Sequence, residues 1–321
     1  MSAKTKRRDK FSPLTVTMLV ILVLYCIVMI SMLFWGVMQS LKGTNHYEKN
    51  PASIPIKFKD ITFFNYAFVY AFANSNWMGL SQGSPGFLEI LLNTCLYAIG
   101  GAFLNVTITA LIAYLSARYH YFYSKILYTI VIIVMVTPIV GAQASEIQVL
   151  RQIHLYNTRF AFVVLKASFV AGVYFLVFHA AFEGIPATYS EAAMMDGAGN
   201  WCIMLKICLP LVANVFMTVF LITFIQYWND YQLAMVYMPS YPTLSYFIFS
   251  FQNATFSANE FMDWMKYPYL ENFYNDGNEF DPEYPTVQLA AASILVIPIT
   301  IIFLSMHKRL MGNLSVGGIK G

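Results

Sequence analysis

Charge is what this sequence has least of. Across 321 residues, Lys, Arg, Asp and Glu make up 11%, less than half the roughly 25% of an ordinary soluble domain. With 58% hydrophobic residues and a mean hydropathy of +0.58, the apolar side chains exceed what a soluble core can hold, and the composition points to one membrane domain. The net charge of +3 is too small and too dispersed to argue for nucleic acid as a partner. Cysteine is also sparse. Cys26, Cys95, Cys202 and Cys208 form no C-x-x-C pair and meet no histidines at ligand spacing, so neither a disulfide framework nor a zinc site is implied and the expectation is small buried hydrophobes. The chain has no G-x-x-x-x-G-K-[ST] phosphate loop and no Gly-Lys dipeptide, so it carries no P-loop for nucleotide hydrolysis. No His, Cys or carboxylate constellation recurs at catalytic spacing, which counts against a membrane-embedded enzyme.

What is present is a series of apolar runs. A membrane crossing needs about 20 mostly uncharged residues, because a helix alone satisfies its own backbone in hydrocarbon. Six runs meet that test: Leu14–Val37, Ile90–Leu115, Ile126–Ala144, Phe160–Phe182, Leu211–Trp228 and Val287–Met306. The first is too long for a secretory signal and lacks a cleavage site, so it is expected to stay in the mature protein. Pro138 and Pro298 mark expected bends. The resulting plan is an all-α membrane protein. A basic tail covers 1–13, a first span 14–37, an external segment 38–87, a five-helix core 88–307 and a second tail 308–321.

Orientation follows from the basic residues near the span ends. Lys4, Lys6, Arg7, Arg8 and Lys10 place the N-terminus in the cytoplasm, and six crossings return Lys308, Arg309 and Lys320 to the same side, together with Arg118 and Lys125. Lys42, Lys49, Lys57 and Lys59 in the first external segment run against the rule, although long loops cross largely regardless of charge. The acid-rich loop within 233–286, with Glu260, Asp263, Glu271, Asp276, Glu279, Asp281 and Glu283 against Lys266, agrees with an external position. The same count puts the loop 183–210 in the cytoplasm.

That loop contains EAAMMDGAGNWCIMLKICLP, Glu191–Pro210. Pro186 suits a helix start, Ala187 to Met195 are good helix formers, and Gly197 is placed to end the helix in a left-handed conformation. Ala192, Ala193, Met194 and Met195 offer a small apolar surface, and Glu191 and Asp196 offer carboxylates that an arginine could grip. Pro210 is then expected to open the fifth span. The plain alternative is an ordinary cytoplasmic turn.

The spacing Glu191-Ala192-Ala193, three residues, Gly197, nine residues, Ile207, one residue, Leu209-Pro210 resembles at every position the EAA-x3-G-x9-I-x-LP signature of binding-protein-dependent ABC importer permeases. NTCLYAI, LIAYLSARY, QYWNDYQLAMV and the terminal GGIKG are similar to the maltose-type carbohydrate branch. The resemblance covers nearly all of the chain from Leu14 onward and implies the type I ABC importer permease (MetI-like) fold with six transmembrane helices. It implies a prokaryotic inner or plasma membrane location and a second permease subunit in a heterodimer. It also implies two copies of a cytoplasmic ABC ATPase and an extracellular or periplasmic solute-binding protein. ATP and Mg would be used by the ATPase, with no cofactor on this chain. The segment with Glu191, Ala192, Ala193, Asp196, Gly197, Ile207, Leu209 and Pro210 would be the coupling helix that enters a groove of the ATPase.

Substrate contacts are less distinctive. Sugars are held by aromatic faces and by amides or carboxylates, so Gln226, Tyr227, Trp228, Asn229 and Asp230 at the outer end of the fifth span have suitable chemistry. Tyr227 and Trp228 equally suit interfacial anchors, which makes Asn229 and Asp230 the stronger candidates. GLSQG at Gly79–Gly83 fits a nucleophile elbow but lacks the strand and helix that motif needs. The acidic loop lacks the order of a calcium loop, and the long external segment suits a lid that meets the binding protein. An ion-coupled secondary carrier is the alternative function, and it would show mid-bilayer charges or inverted repeats that are not evident here.

Overall fold

The computed structural model describes residues 13–51, 53, 61–79, 83–119, 121–137, 141–161, 165, 172–254 and 285–311. Every regular element among them is helical. In chain order these are α1 (Pro13–Ser40), α2 (Thr44–Lys49), α3 (Phe64–Ala73), α4 (Phe87–Cys95), α5 (Gly101–Arg118), α6 (Phe122–Val136), α7 (Gln143–Gln152), α8 (Gly172–Glu183), α9 (Ala187–Met195), α10 (Asn200–Ile203), α11 (Ala213–Trp228), α12 (Gln232–Tyr237), α13 (Leu244–Gln252) and α14 (Pro285–Met311). Two compact units divide the chain, one from Met1–Ala71 with Phe256–Ser293, the other from Phe72–Thr255 with Ile294–Gly321.

In the first unit, α1 presents an apolar surface along nearly its whole length and buries only Gln39 and Ser40 at its end. Just beyond, Lys42 is fully buried. Its ammonium donates to the carbonyls of Asn50 (3.2 Å) and Pro51 (3.4 Å) and to Ser53 Oγ (3.3 Å), and burial holds its pKa below the ordinary lysine value. Asn65 donates to the carbonyls of Ser40 and Lys42, both at 2.8 Å. Lys42 is therefore a structural cation, which removes one of the four lysines that ran against the charge rule.

The second unit is organised around α5. Ala110, Ala113 and Ala117 on one of its faces leave room for Phe175, Phe178 and Phe182 of α8, all buried in one cluster. Against lipid such contacts stabilise by close packing, since tails are as apolar as the side chains they replace. A second close approach is made at Gly172, where an added Cβ would lie 2.6 Å from Met135 Cβ. Glycine is required there by space.

Helical spans differ from the sequence expectation at several ends. Among the described residues three helices, Pro13–Ser40, Phe87–Arg118 and Pro285–Ser305, are long and apolar enough to cross a membrane, or four if the pair Asn200–Leu211 and Ala213–Trp228, bent by 74°, counts as one broken span. The third run, expected to reach Ala144, stops at Val136, with Thr137 extended at ψ 114°. The cause is the following Pro138, which disfavours helical backbone in the residue before it; Pro138 itself lies outside the described residues. The run Phe160–Phe182 is helical from Gly172, and 162–164 and 166–171 lie outside the described residues. The acid-rich loop also falls outside them. Pro298 sits inside α14.

Pro210 does not open the fifth span. It lies in a short turn, Leu209–Leu211, the chain breaks at Val212, and α11 begins at Ala213 after a bend of 74°. Proline lacks an N–H and its ring crowds the carbonyl four residues back, here that of Lys206. The preceding turn is correspondingly widened into a π-helix over Met204–Cys208. A second π segment, Leu96–Gly100, joins α4 to α5.

The last residue of α5 ties these parts together. Arg118 donates from Nη1 to the Ile185 carbonyl (3.0 Å) and from Nη2 to Ser190 Oγ (3.2 Å), with Cys208 Sγ 3.9 Å away. Hydrogen bonds from a charged donor are worth about 1.5–3 kcal/mol. With Cys26, Cys95 and Cys202 replaced by Ser, fully buried Cys208 should resist maleimide. Arg118→Ala should raise its labelling rate at least roughly tenfold. Unchanged protection would show that Arg118 holds nothing in place.

Candidate functional site

The Glu191 segment is built by its capping chemistry. Helix α9 starts after Pro186, whose φ of −55° and ψ of 137° are extended, and ends where Gly197 stands at φ 81°. Gly197 N–H donates to the Met194 carbonyl (3.0 Å) and Ala198 N–H to the Ala193 carbonyl (2.9 Å), the paired bonds of a Schellman cap. Ala193 and Ala198 both pack into the cluster formed by α5 and α8. The inner side of the helix is thus part of that packed cluster.

Its outer side is free of that packing. Glu191, Ala192, Met194, Asp196 and Gly197 are exposed, and Met195 is 89% exposed. The expectation that Ala193 joins the outward apolar surface is corrected: the helical turn carries it inward, while Tyr189 and Trp201 are exposed instead. Ile207 and Leu209 are half-buried against the cluster, and Pro210 is exposed. The surface offers carboxylates, thioethers and an indole, a set suited to a partner with arginines and apolar recesses. Arg118, read from sequence only as a topology marker, is the residue that orients this segment. Its position in the last turn of a helix, where cations suit carbonyl ends, was the available signal.

A second site is a cavity of about 370 Å³ in the same unit. Its wall is polar where Asn105, Gln143, Glu146, Thr223 and Gln226 line it, and aromatic at Tyr174, Tyr227 and Tyr237. Tyr237 hydroxyl donates to the Glu146 carboxylate. Thr223 is buried, and its Oγ1 has no hydrogen-bond partner among the described residues. Tyr227 stacks on Tyr97 with ring centroids 5.7 Å apart.

Of the five candidates at Gln226–Asp230, two line this cavity and three do not. Gln226 and Tyr227 do so. Trp228 is buried, with its indole N–H donated to the Leu295 carbonyl (3.1 Å) and its ring on Phe224. Asn229 folds back onto the Ile225 carbonyl (2.8 Å). Asp230 accepts from Tyr97 hydroxyl (2.6 Å) and from Leu233 N–H (3.1 Å), which caps the start of α12. Glu146, Tyr174, Thr223 and Tyr237 were missed because they come from separate helices with no shared spacing. The one available signal was a carboxylate following directly on an apolar run.

The 79–83 elbow motif is described only at its glycines, both at positive φ. Among the described residues no group of three or more His, Cys, Asp or Glu could hold a metal ion.

Comparison with known proteins agrees with this architecture. The chain is 22% identical over 297 residues to the diacetylchitobiose uptake system permease protein NgcG of Streptomyces coelicolor, covering 92% of this chain and 86% of that protein. It is 25% identical over 265 residues to the sulfoquinovosyl glycerol transport system permease protein SmoH of Agrobacterium fabrum, covering 82% of each. In fold it is similar to a chain in the crystal structure of a bacterial ABC transporter involved in the import of the acidic polysaccharide alginate. That similarity has a TM-score of 0.71 at 20% identity and covers 96% of this chain and 99% of that one. Residues 106–313 match one family along their whole length, and the chain belongs to it: the binding-protein-dependent transport system inner membrane components.

Proposed function

We propose that this chain is one half of the transmembrane pathway of an ATP-driven importer for a carbohydrate, with α9 as the helix that an ATPase moves. Membership of the family implies a partner permease, an ATPase and a binding protein in general terms. The finer reading is a heterodimer with a second permease, two copies of a cytoplasmic ABC ATPase and an external solute-binding protein. ATP and Mg belong to the ATPase. The relatives' names supply the carbohydrate class.

The observation that carries the proposal is that the Schellman-capped helix α9 is exposed on one side and shares a packed cluster with α5, α8 and α11 on the other. A displacement applied to Met195 or Glu191 therefore reaches the membrane helices through close-packed contacts rather than through a flexible loop. Two-state alternation of access requires such a packed cluster to have a second arrangement that the ATPase favours. The six-crossing reading takes the short apolar helices α6 and α8 as spans beside the three long helices and the bent pair, and in that reading both termini and α9 are cytoplasmic.

Labelling tests the topology. Single cysteines at Asp196 and Gly312 should react only from the cytoplasmic face and one at Asn76 only from outside; reaction at Asn76 from inside removes the six-span arrangement.

Gly197 tests the coupling. An added Cβ at Gly197 meets no atom within 4 Å, so only backbone strain opposes substitution inside this chain. A β-branched residue in left-handed backbone costs about 1–2 kcal/mol, and Asn much less. Gly197→Asn should keep the uptake of the complex, while Gly197→Val should reduce it about tenfold with normal membrane abundance. Glu191→Ala should weaken co-purification of the ATPase by roughly one to two powers of ten. Normal uptake and co-purification in the Val and Ala variants would reduce α9 to an ordinary turn.

A further inference from the structure

Relatives of this chain are named for saccharides of different chemistry, and the structural neighbour imports an acidic one. Family membership therefore leaves the charge of the cargo open, and the cavity described above addresses it. We propose that this cavity takes a neutral, hydroxyl-rich saccharide and rejects acidic ones, with Glu146 as the residue that sets this selectivity. The inference rests on the carbohydrate reading and adds the charge class of the substrate.

The cavity is of the size that holds a small ligand. Its aromatic residues supply faces for the C–H side of a sugar ring, and the amides of Gln143 and Gln226 supply both donors and acceptors for hydroxyls. Thr223 Oγ1, buried on this wall without a partner among the described residues, is left for a ligand to satisfy.

The charge balance is one-sided. Glu146 is a carboxylate in the lining, and no Lys, Arg or His is found among the described lining residues. Three arginines of the same unit are engaged elsewhere. Arg151 lies over the Tyr156 ring at 4.9 Å, Arg159 pairs with Glu89 and lies over Tyr241 at 5.2 Å, and Arg118 holds the α9 segment. Lys166 lies outside the described residues. Tyr237 hydroxyl occupies one lone-pair direction of Glu146, while a carboxylate has roughly four acceptor sites. The remaining sites accept from sugar hydroxyls. A uronate carboxylate in the same space would meet like charge with no cation among the described lining residues to offset it.

Saturation-transfer NMR on the purified permease–ATPase complex, without the binding protein, isolates this site's selectivity. The probes are neutral trisaccharides (maltotriose, cellotriose, xylotriose) and triuronates (trigalacturonate, trimannuronate). Wild type should give signal with at least one neutral probe and none with a uronate. Glu146→Gln should keep the neutral signal and gain a uronate signal, with the ratio of neutral to uronate affinity falling at least about tenfold. Tyr237→Phe keeps the charge and removes the hydroxyl, so it should weaken neutral binding and leave uronates excluded; uronate binding by this variant would contradict Glu146 as the selector, including where the Gln variant does not fold. Uronate binding to wild type, or continued exclusion in folded Glu146→Gln, overturns the inference while the carbohydrate reading stands. Silence from both classes of probe overturns the carbohydrate reading and the inference with it.

Discussion

The guanidinium of Arg118 is the tie on which the α9 segment depends. It ends α5 and grips the chain at Ile185 and Ser190, on either side of the start of α9. Its Nε is buried without a partner among the described residues, so a substantial part of this charge is withdrawn from water for the sake of two directed bonds. Such an arrangement costs desolvation and is worth keeping where position matters more than stability. Ala193 and Ala198 then set the outer helix directly on the packed core. The result is a short helix with an exposed outer side set on an apolar, packed base.

Two π segments among the described residues adjoin the two candidate sites. The π segment Leu96–Gly100 carries Tyr97, whose hydroxyl meets Asp230 and whose ring backs Tyr227. The π segment Met204–Cys208 and the break at Val212 lie between α9 and α11 in the chain. In hydrocarbon an unpaired backbone group is expensive, so irregular turns persist where packing and side chains compensate for them. Pro210 shows how far sequence reasoning reaches: its presence announced a helix boundary, but the strain it creates was relieved upstream by widening a turn and downstream by a 74° bend. Neither response has a signature in residue spacing.

The same contrast separates the two sites. The α9 segment was legible because its determinants are local. Helix formers, a left-handed glycine and fixed offsets lie within one stretch, and the cap at Gly197 follows from them. What was not local was missed or misplaced. Ala193 was read as outward-facing, because composition alone gives no phase to a helix of nine residues. Asp230 and Asn229 were favoured as substrate ligands for their chemistry, yet their side chains satisfy backbone groups and a tyrosine hydroxyl at a helix junction. Glu146 and Tyr237 stand 91 positions apart in sequence, and only the fold brings them together.

The central claim is that α9 meets the ATPase through its outer side while its inner side stays locked to the core. Disulfide or short bifunctional cross-linking of single cysteines in the assembled complex tests it directly. Met195→Cys, at a side chain 89% exposed, should cross-link to an ATPase with a cysteine introduced in its docking groove, and the yield should change between nucleotide-free and ATP-bound states. Ala193→Cys, at a buried position, should give no cross-link in either state. Equal cross-linking from both positions, or none from Met195→Cys, would contradict the account.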